Sequence, residues 1–290
     1  MGRRCEVTVR FHEPPADLRG YFTTFYRVEF DCPDGPVEDA LQPEWAGLRF
    51  FNNTGTVSSI AGGGTVAGAD FMAMGPTSLP VRFQLATSRM WGVGLLPQGW
   101  AAYMGVPAHA MANRIFDGRK EPAFGRFVSL ADRLTADPAR EEQELETITR
   151  FFREEAPRDT EEDDRILVVH QLLIDPELPD VAGLAERAGL HPRTLERLCR
   201  KAFGFAPKKL LRRQRFMRSL AQFMLDPSMK WIGAIDALYF DQSHFVRDCK
   251  EFLGMSPSEY AALDHPILSS VMRERMRVRG AAVQALDRPG

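Results

Sequence analysis

Short apolar stretches separated by turn residues characterise the first third of the chain. Between about residues 6 and 98, stretches such as Tyr21–Phe30 and Leu48–Asn52 are bounded by clusters of Pro and Gly, among them Pro33–Pro36 and Gly62–Gly64. Apolar runs of this length between turn signals are typical of β-strands. This region therefore predicts several short strands in a small β-sandwich or barrel, with Gly62–Gly64 in a hairpin turn.

The spacing of apolar positions becomes helical after Pro97. The acidic segment Pro157–Asp164 predicts a linker or a helix start, and beyond Pro179 the pattern is helical to about residue 264. The order of elements predicts an α+β protein, with a β-rich part before an all-α part. Individual helices are predicted at Gly99–Met104, Pro107–Arg114, Glu141–Glu155, Arg165–Ile174 and Pro207–Leu225.

Two segments of the C-terminal third repeat each other. The pattern R-x-C-R-x-x-x-G-x-x-P that begins at Arg197 returns as R-x-C-K-x-x-x-G-x-x-P at Arg247, 50 residues later. Upstream the offset becomes 49, as in Ala185 against Ala234, so the second copy has one extra residue near its turn. A fixed period with aligned Gly and Pro indicates two copies of one structural unit.

Each copy has the spacing of a helix-turn-helix unit. In the first, Ala185 is small where a second helix must approach, and Gly189 follows at a turn that needs a left-handed backbone. Pro192 stands at the start of the second helix, where its missing N–H is not needed. In the second copy, Leu238 occupies the position of Gly189. A left-handed Leu is strained, so we expect this turn to be built differently or to be less stable.

A long helix is predicted between the two units. The segment Pro207–Leu225 has no internal Pro or Gly and carries an apolar face. Roughly nineteen residues at about 1.5 Å each make a rod of roughly 28 Å. Such a rod would hold two recognition helices about one DNA turn apart, on one side of the duplex.

Charge is distributed unevenly along the chain. The net charge of all 290 residues is -2. Between Val181 and Asp264, however, 14 Lys and Arg outnumber 9 Asp and Glu, which gives +5, and a basic tail follows. This asymmetry indicates that the C-terminal end binds a polyanion.

The paired units resemble the AraC/XylS family of bacterial transcription regulators. The segments GFAPKKLLRRQRFMRSLAQFML and FDQSHFVRDCKEFLGMSPSEY carry the resemblance, which covers about Arg165–Asp264. The stretch that begins GPTSLPVRFQLATSRMWGVGLLPQGW at Gly75 has a weaker likeness to the sensory domain of one subgroup. The sequence departs from the family at Leu238, where Gly is usual, and at Cys199 and Cys249, where an aromatic is usual.

The resemblance implies a two-domain, cytoplasmic transcription regulator, more often an activator. Residues 1–160 are expected to form a β-rich sensory or dimerisation domain with terminal helices. Residues 161–265 are expected to form the DNA-binding domain, in which a long helix joins two helix-turn-helix units, and residues 266–290 a basic tail. Double-stranded DNA is the expected partner. The resemblance also allows three further partners, which are RNA polymerase, a small effector and a second copy of the chain.

The recognition helices are expected at about residues 192–203 and 242–253, entering successive major grooves. In the first, Arg193 and Arg197 are of the type that reads guanine, and Glu196 is of the type that accepts from cytosine. Arg200 and Lys250 recur at one repeat position, which suits phosphate contact. Alternatives are phosphate contact only, intramolecular salt bridges and, for His244, packing at a helix start. The expected DNA contacts are Arg193, Thr194, Glu196, Arg197, Arg200, Lys208, Arg212, Gln242, Ser243, His244, Arg247 and Lys250, and the basic cluster at Lys208 extends to Lys209 and Arg213.

Little in the sequence indicates catalysis or a cofactor. The four cysteines are far apart with no CxxC spacing, which predicts neither a disulfide framework nor a zinc cluster, and Cys199 and Cys249 fall in apolar patterns that predict burial. The histidines show no metal-binding spacing, and no apolar run of 18 residues is present. We therefore expect no metal, no cofactor, no membrane segment and no enzyme. The alternatives are an enzyme or a protein-interaction module with an appended helical domain.

Two features of the N-terminal part allow alternative interpretations. Its aromatic residues either line an effector pocket or form an ordinary core. The segment Glu141–Glu155 is either a dimerisation helix or a linker helix packed on its own domain. The aromatic residues in question are Phe50, Phe51, Phe71, Trp91, Trp100 and Tyr103.

Overall fold

Ten strands form two antiparallel sheets in the N-terminal half of the computed structural model, which describes residues 5–135, 140–155, 157, 162–226 and 231–289. The six-stranded sheet has the order β1-β2-β9-β4-β7-β10, and the four-stranded sheet the order β3-β8-β5-β6. The predicted β-rich domain is thus confirmed as a sandwich. The strands are β1 (Glu6–His12), β2 (Phe22–Asp31), β3 (Val37–Leu41), β4 (Ala46–Phe51), β5 (Val57–Ile60), β6 (Gly64–Ala67), β7 (Phe71–Met74), β8 (Val81–Leu85), β9 (Ser88–Leu95) and β10 (Ile115–Asp117).

The central strands of the larger sheet are buried on both faces. Successive side chains of a strand point to opposite sides of the sheet, so each of these strands contributes to two cores. In β7, Phe71 and Ala73 belong to one core, whereas Met72 and Met74 belong to another. The second core lies between the two sheets. The first is covered by helices, and this covering explains why β4, β7 and β9 are buried along their whole length.

Four helices complete the N-terminal half. Along α4, Ile148, Phe151 and Phe152 pack into the core of the larger sheet. Buried Glu144 on the same helix accepts a hydrogen bond of 2.7 Å from Trp91 Nε1 and pairs with Arg89. The apolar face of this helix is therefore occupied by its own domain, which favours the linker interpretation over dimerisation. These helices are α1 (Pro97–Tyr103), α2 (Ala108–Met111), α3 (Val128–Thr135), which follows a 3₁₀ turn at Pro122–Phe127, and α4 (Glu141–Glu154).

The described residues of the C-terminal half form helices joined by turns and loops. The predicted connecting helix is confirmed with its predicted bounds, as α8. The expected linker at Pro157–Asp164 lies largely outside the described residues. The helices are α5 (Asp163–Ile174), α6 (Val181–Arg187), α7 (Pro192–Leu198) with a π turn at Cys199–Phe203, α8 (Pro207–Leu225), α9 (Trp231–Ala234), α10 (Gln242–Phe252), α11 (Pro257–Ala261) and α12 (Leu268–Arg279), then a 3₁₀ turn at Gln284–Leu286. No helix of the described residues is both long and apolar enough to span a membrane.

The helix predicted at Pro107–Arg114 is much shorter in the structure. α2 ends at Met111, because Ala112 is extended and Asn113 is left-handed, with a φ of 55°. The Asn113 side chain accepts a hydrogen bond of 2.6 Å from the backbone N–H of Ser78. This tertiary contact stabilises the break, and β10 begins two residues later.

The expectation that the cysteines form no disulfide is wrong for one pair. Cys5 and Cys32 are joined by a disulfide bond. Antiparallel pairing of β1 with β2 sets Glu6 opposite Asp31, and the residues just beyond that pair are Cys5 and Cys32. Cys199 and Cys249 are free and buried, as predicted. Burial raises the pKa of the Cys249 thiol to about 12.

The N-terminal domain packs against the helical half on the first unit. Trp45 and Leu96 share a core with α5, α7 and the π turn. Gly204 ends that turn with a φ of 84°, and a Cβ there would lie 3.1 Å from the ring of Pro76. The close approach and the left-handed backbone both require glycine at this position.

Residues 266–290, expected as a basic tail, contain α12 and a 3₁₀ turn in their described part. α12 lies beside β1 and α8. Beyond it, Gln284 accepts a hydrogen bond of 2.9 Å from Trp45 N and donates one of 3.2 Å to Ala46 O. This segment therefore connects the sandwich with the helical half.

Candidate DNA-binding surface

The first helix-turn-helix unit has the predicted turn. Gly189 is left-handed, with a φ of 63°, and Leu190 N donates to Ala185 O at 2.9 Å. α7 starts at Pro192, as predicted. Leu184, Leu195 and Leu198 form the core between α6 and α7. This burial directs the remaining side chains of α7 outward.

The second unit turns without a left-handed residue. Leu238 does not have a positive φ, in contrast to Gly189. Instead, the Asp236 carboxylate accepts a hydrogen bond of 2.9 Å from Leu238 N, and Tyr239 N donates to Asp236 O at 3.0 Å. The extra residue of this copy permits this different turn. Asp241 then caps the start of α10, and its side chain accepts a hydrogen bond of 2.8 Å from His244 N.

Several predicted contact residues are exposed on the two units. Arg193 lies at the start of α7, and Gln242, Ser243 and Arg247 lie on the first turns of α10; all four are exposed. Lys208 and Lys250 are also exposed. Among the described residues, neither these two lysines nor Arg193 and Arg247 form a salt bridge. They therefore provide free positive charge on both units.

Other basic residues of the first unit are already paired within the protein. Glu162, just before α5, contacts Arg197 at 3.0 Å and Lys201 at 2.6 Å. Arg200 pairs with Glu196 at 2.8 Å. Hydrogen bonding from Lys201, aided by the charge of Arg197, lowers the pKa of Glu162. The carboxylate thus remains ionised beside α7. The sequence analysis did not predict this pairing, because Glu162 is distant in sequence from Arg197 and Lys201.

Two arginines of α8 are engaged inside the protein. Arg212 pairs with Asp248 and, at 2.6 Å, with Glu251, and so connects α8 to α10. Its expected phosphate contact stays a prediction. Arg213 is fully buried and donates to Thr77 O at 2.8 Å, with its guanidinium 4.0 Å from the Trp45 ring centre. The expectation that the exposed basic cluster at Lys208 extends to Arg213 is therefore wrong, because this face of α8 packs on the sandwich.

Phe240 is a candidate that the sequence analysis missed. This side chain is 89% exposed, immediately before Asp241 at the head of α10. Its position beside Gln242 and Ser243 places an apolar ring next to two predicted base contacts. Exposure of so large an aromatic side chain is the signal, and it is visible only in the structure.

The aromatic residues of the N-terminal domain are buried in its cores. Phe51 lies in the core between the two sheets and lines a cavity there. The other five belong to the core under the helices. For those five, the ordinary-core interpretation is confirmed. The five are Phe50, Phe71, Trp91, Trp100 and Tyr103.

The helical half matches a known family. The model of a family described as a helix-turn-helix domain matches residues 184–262. This range begins within α6 and ends just after α11, so it includes both units and the helix between them. This match confirms that the helical half contains the predicted helix-turn-helix domain.

Solved structures similar to the chain include two forms of ToxT from Vibrio cholerae. An apo variant from strain SCE256 is 10% identical, with a TM-score of 0.42 over 89% of this chain and 96% of that one. The form bound to an unsaturated fatty acid is 11% identical, with a TM-score of 0.41 over 90% and 96%. The AraC-like transcriptional activator CuxR is 12% identical, with a TM-score of 0.26 over 74% and 87%. No curated protein matches the chain in sequence.

Proposed function

We propose that this chain is a DNA-binding transcription regulator of the AraC type, which binds its operator by inserting α7 and α10 into successive major grooves. One observation supports this most directly. The first turns of both helices present exposed polar and basic residues, while Leu195 of α7 and Phe245 of α10 are buried in the cores of the two units. α8 has nineteen residues, which at about 1.5 Å each suits one DNA turn.

The exposed residues divide into two groups by their chemistry. Arg193, Gln242 and Ser243 lie at the starts of their helices, the part of a recognition helix that contacts base edges. Phe240 adds an apolar ring that suits the methyl group of thymine. Lys208 and Lys250, with Arg200, suit phosphate contacts, which position the protein but do not read sequence. His244, Thr194, Glu196 and Arg197 complete the proposed surface.

The proposal is tested by selecting sites from random duplex DNA with the full chain, followed by a salt titration. We expect an enriched motif of two half-sites about one turn apart. Arg193→Glu should weaken binding at least tenfold and relax the preference at one base position, because a bidentate base contact contributes about 1–3 kcal/mol. The matched control is Arg133→Glu, an exposed arginine on α3 of the sandwich domain.

Charge reversal at either arginine changes the net charge equally. Equal loss of affinity in both variants would therefore contradict a specific contact by α7. Salt-dependent binding without an enriched motif would contradict operator recognition altogether.

Regulation by a small effector, with activation of transcription through RNA polymerase, is the finer part of the proposal. The effector is supported by a cavity between the sandwich domain and the C-terminal segment. Activation is proposed because most regulators of the family that the sequence resembles are activators. Dimerisation would use a surface other than the buried face of α4. A reporter gene placed under a selected site would rise with the regulator if it activates and fall if it represses.

A further inference from the structure

A cavity of about 90 Å³ lies between the sandwich and the C-terminal segment. One wall consists of apolar side chains from the space between the two sheets, such as Phe51 and Phe83. The opposite wall comes from beyond the helix-turn-helix domain, with Val271 and Met272 on α12 and Val283 after it. The cavity is thus completed only when residues 267–284 lie on the sandwich.

Three polar atoms around this cavity have no hydrogen-bond partner among the described residues. They are Thr56 Oγ1, Gln42 Oε1 and Arg275 Nε. All three side chains belong to residues at most 5% exposed. A buried polar atom without a partner destabilises a fold by about 1–3 kcal/mol. A molecule that hydrogen-bonds to one of these atoms would recover part of that free energy.

The cationic side chains of the cavity wall already have anionic partners. Arg49 pairs with Glu44 at 2.6 Å, and Arg275 pairs with buried Asp287. A carboxylate or ammonium ligand would therefore lose its hydration without gaining a free counter-charge, which is unfavourable in a buried site. This wall favours an uncharged ligand.

We propose that the cavity binds a small uncharged molecule with an apolar body and one hydrogen-bonding group. The volume is below the ~150 Å³ of an apolar cavity that holds benzene, so a ligand has only a few non-hydrogen atoms, as in a short-chain alcohol. The proposal has a second part, that a ligand in the cavity alters DNA binding. Only this second part rests on the proposed function.

The cavity is connected to the DNA-binding half through one of its walls, the segment after α12. Gln214 on α8 donates a hydrogen bond of 2.6 Å to Ala285 O. Gln284 accepts from Trp45 N, and Trp45 lies against Arg213 of α8. A ligand that contacts Val283 and Gln284 therefore touches the residues next to Ala285, which is hydrogen-bonded to α8, the helix that sets the spacing of the two recognition helices.

The ligand site is tested without DNA, by thermal unfolding of the full chain in 1-butanol and in butanoate. We expect 1-butanol, at a concentration that nearly saturates the site, to raise the midpoint temperature of unfolding by about 2–4 °C. Butanoate at the same concentration should leave that midpoint unchanged. Val271→Phe should abolish the shift by filling the cavity, whereas Val168→Phe, at an exposed position of α5, should retain it. Thr56→Val, which keeps the shape and removes the hydroxyl, should weaken the shift even if Val271→Phe fails to fold.

An absent shift, an equal shift by butanoate, or a shift that persists in both cavity variants would overturn the site. A separate titration measures the affinity of the same chain for a selected operator with and without 1-butanol. A threefold or larger change that Val271→Phe removes is the expected result. Unchanged affinity alongside an intact midpoint shift would overturn the coupling to α8 and leave the site, whereas failure of all DNA binding would count against the proposed function alone.

Discussion

At the scale of single residues, Glu162 has the clearest effect on the proposed surface. Its carboxylate neutralises Arg197 and Lys201 beside α7. We predict that Glu162→Gln strengthens DNA binding about fivefold at low salt, because phosphate no longer competes with a fixed carboxylate. Electrophoretic or fluorescence titration of the full chain measures this change.

The control for that prediction is Glu142→Gln, which removes the same charge from exposed α4. Equal strengthening in both variants would mean that only net charge matters. No strengthening in Glu162→Gln would mean that Arg197 and Lys201 do not face the DNA.

His170 makes the contact between the two halves sensitive to pH. Burial, reinforced by the positive charge of Arg213, lowers the pKa of His170 to about 3 from its ordinary 6.5. Below about pH 6.5 the unfolded chain binds a proton that the folded chain does not, so stability falls as the pH falls. Between pH 7.5 and 5.5 this one group lowers the free energy of unfolding by about 1 kcal/mol.

The variant His170→Phe keeps an aromatic ring between Trp45 and Phe203 and removes the titration. Urea unfolding at the two pH values should therefore show a smaller pH dependence for this variant than for the unmodified chain. His109→Phe, at an exposed position, should leave the dependence unchanged. An unaltered dependence in His170→Phe would show that His170 titrates normally.

At the scale of elements, the two turns of the repeat show how one topology is reached by two routes. The first depends on the left-handed Gly189, the second on the side chain of Asp236, which also pairs with Arg218. We predict that Asp236→Ala destabilises the protein by about 2 kcal/mol, because Arg218 and the backbone N–H of Leu238 both lose their hydrogen-bond acceptor. Chemical denaturation measures the loss.

A second variant distinguishes this turn from the usual one. Leu238→Gly should not stabilise the protein, because Leu238 is not left-handed and glycine only adds freedom to the unfolded chain. A clear gain in stability from Leu238→Gly would contradict the described turn.

At the scale of the whole molecule, the C-terminal segment connects the sandwich to α8. Arg275 of α12 donates to Thr24 on β2 at 3.0 Å and pairs with buried Asp287. We predict that Asp287→Ala lowers the free energy of unfolding by about 3 kcal/mol, since removing one partner leaves a buried charge uncompensated. Thermal or urea unfolding of the full chain tests this prediction. Asp264→Ala, at an exposed position, should cost far less.

Elements with strong local patterns were predictable from the sequence alone. The bounds of α8 follow from Pro207 at its start and a run without Pro or Gly. The left-handed Gly189 follows from the spacing of the repeat, and α4 from its amphipathic pattern. In these cases the conformation is determined by residues that are close along the chain, so the local sequence pattern is sufficient to predict it.

Tertiary structure decided whatever depends on residues distant in sequence. The Cys5–Cys32 bond needs the register of β1 with β2, and the burial of Arg213 needs the sandwich against α8. The pairing of Glu162 with α7 and the cavity under α12 likewise join segments that no period relates. The sequence by itself determined two helix-turn-helix units and the basic and polar residues on their second helices, because both follow from local spacing. Which charges stay free for DNA was decided only by packing, because a side chain's partner depends on where the fold places it.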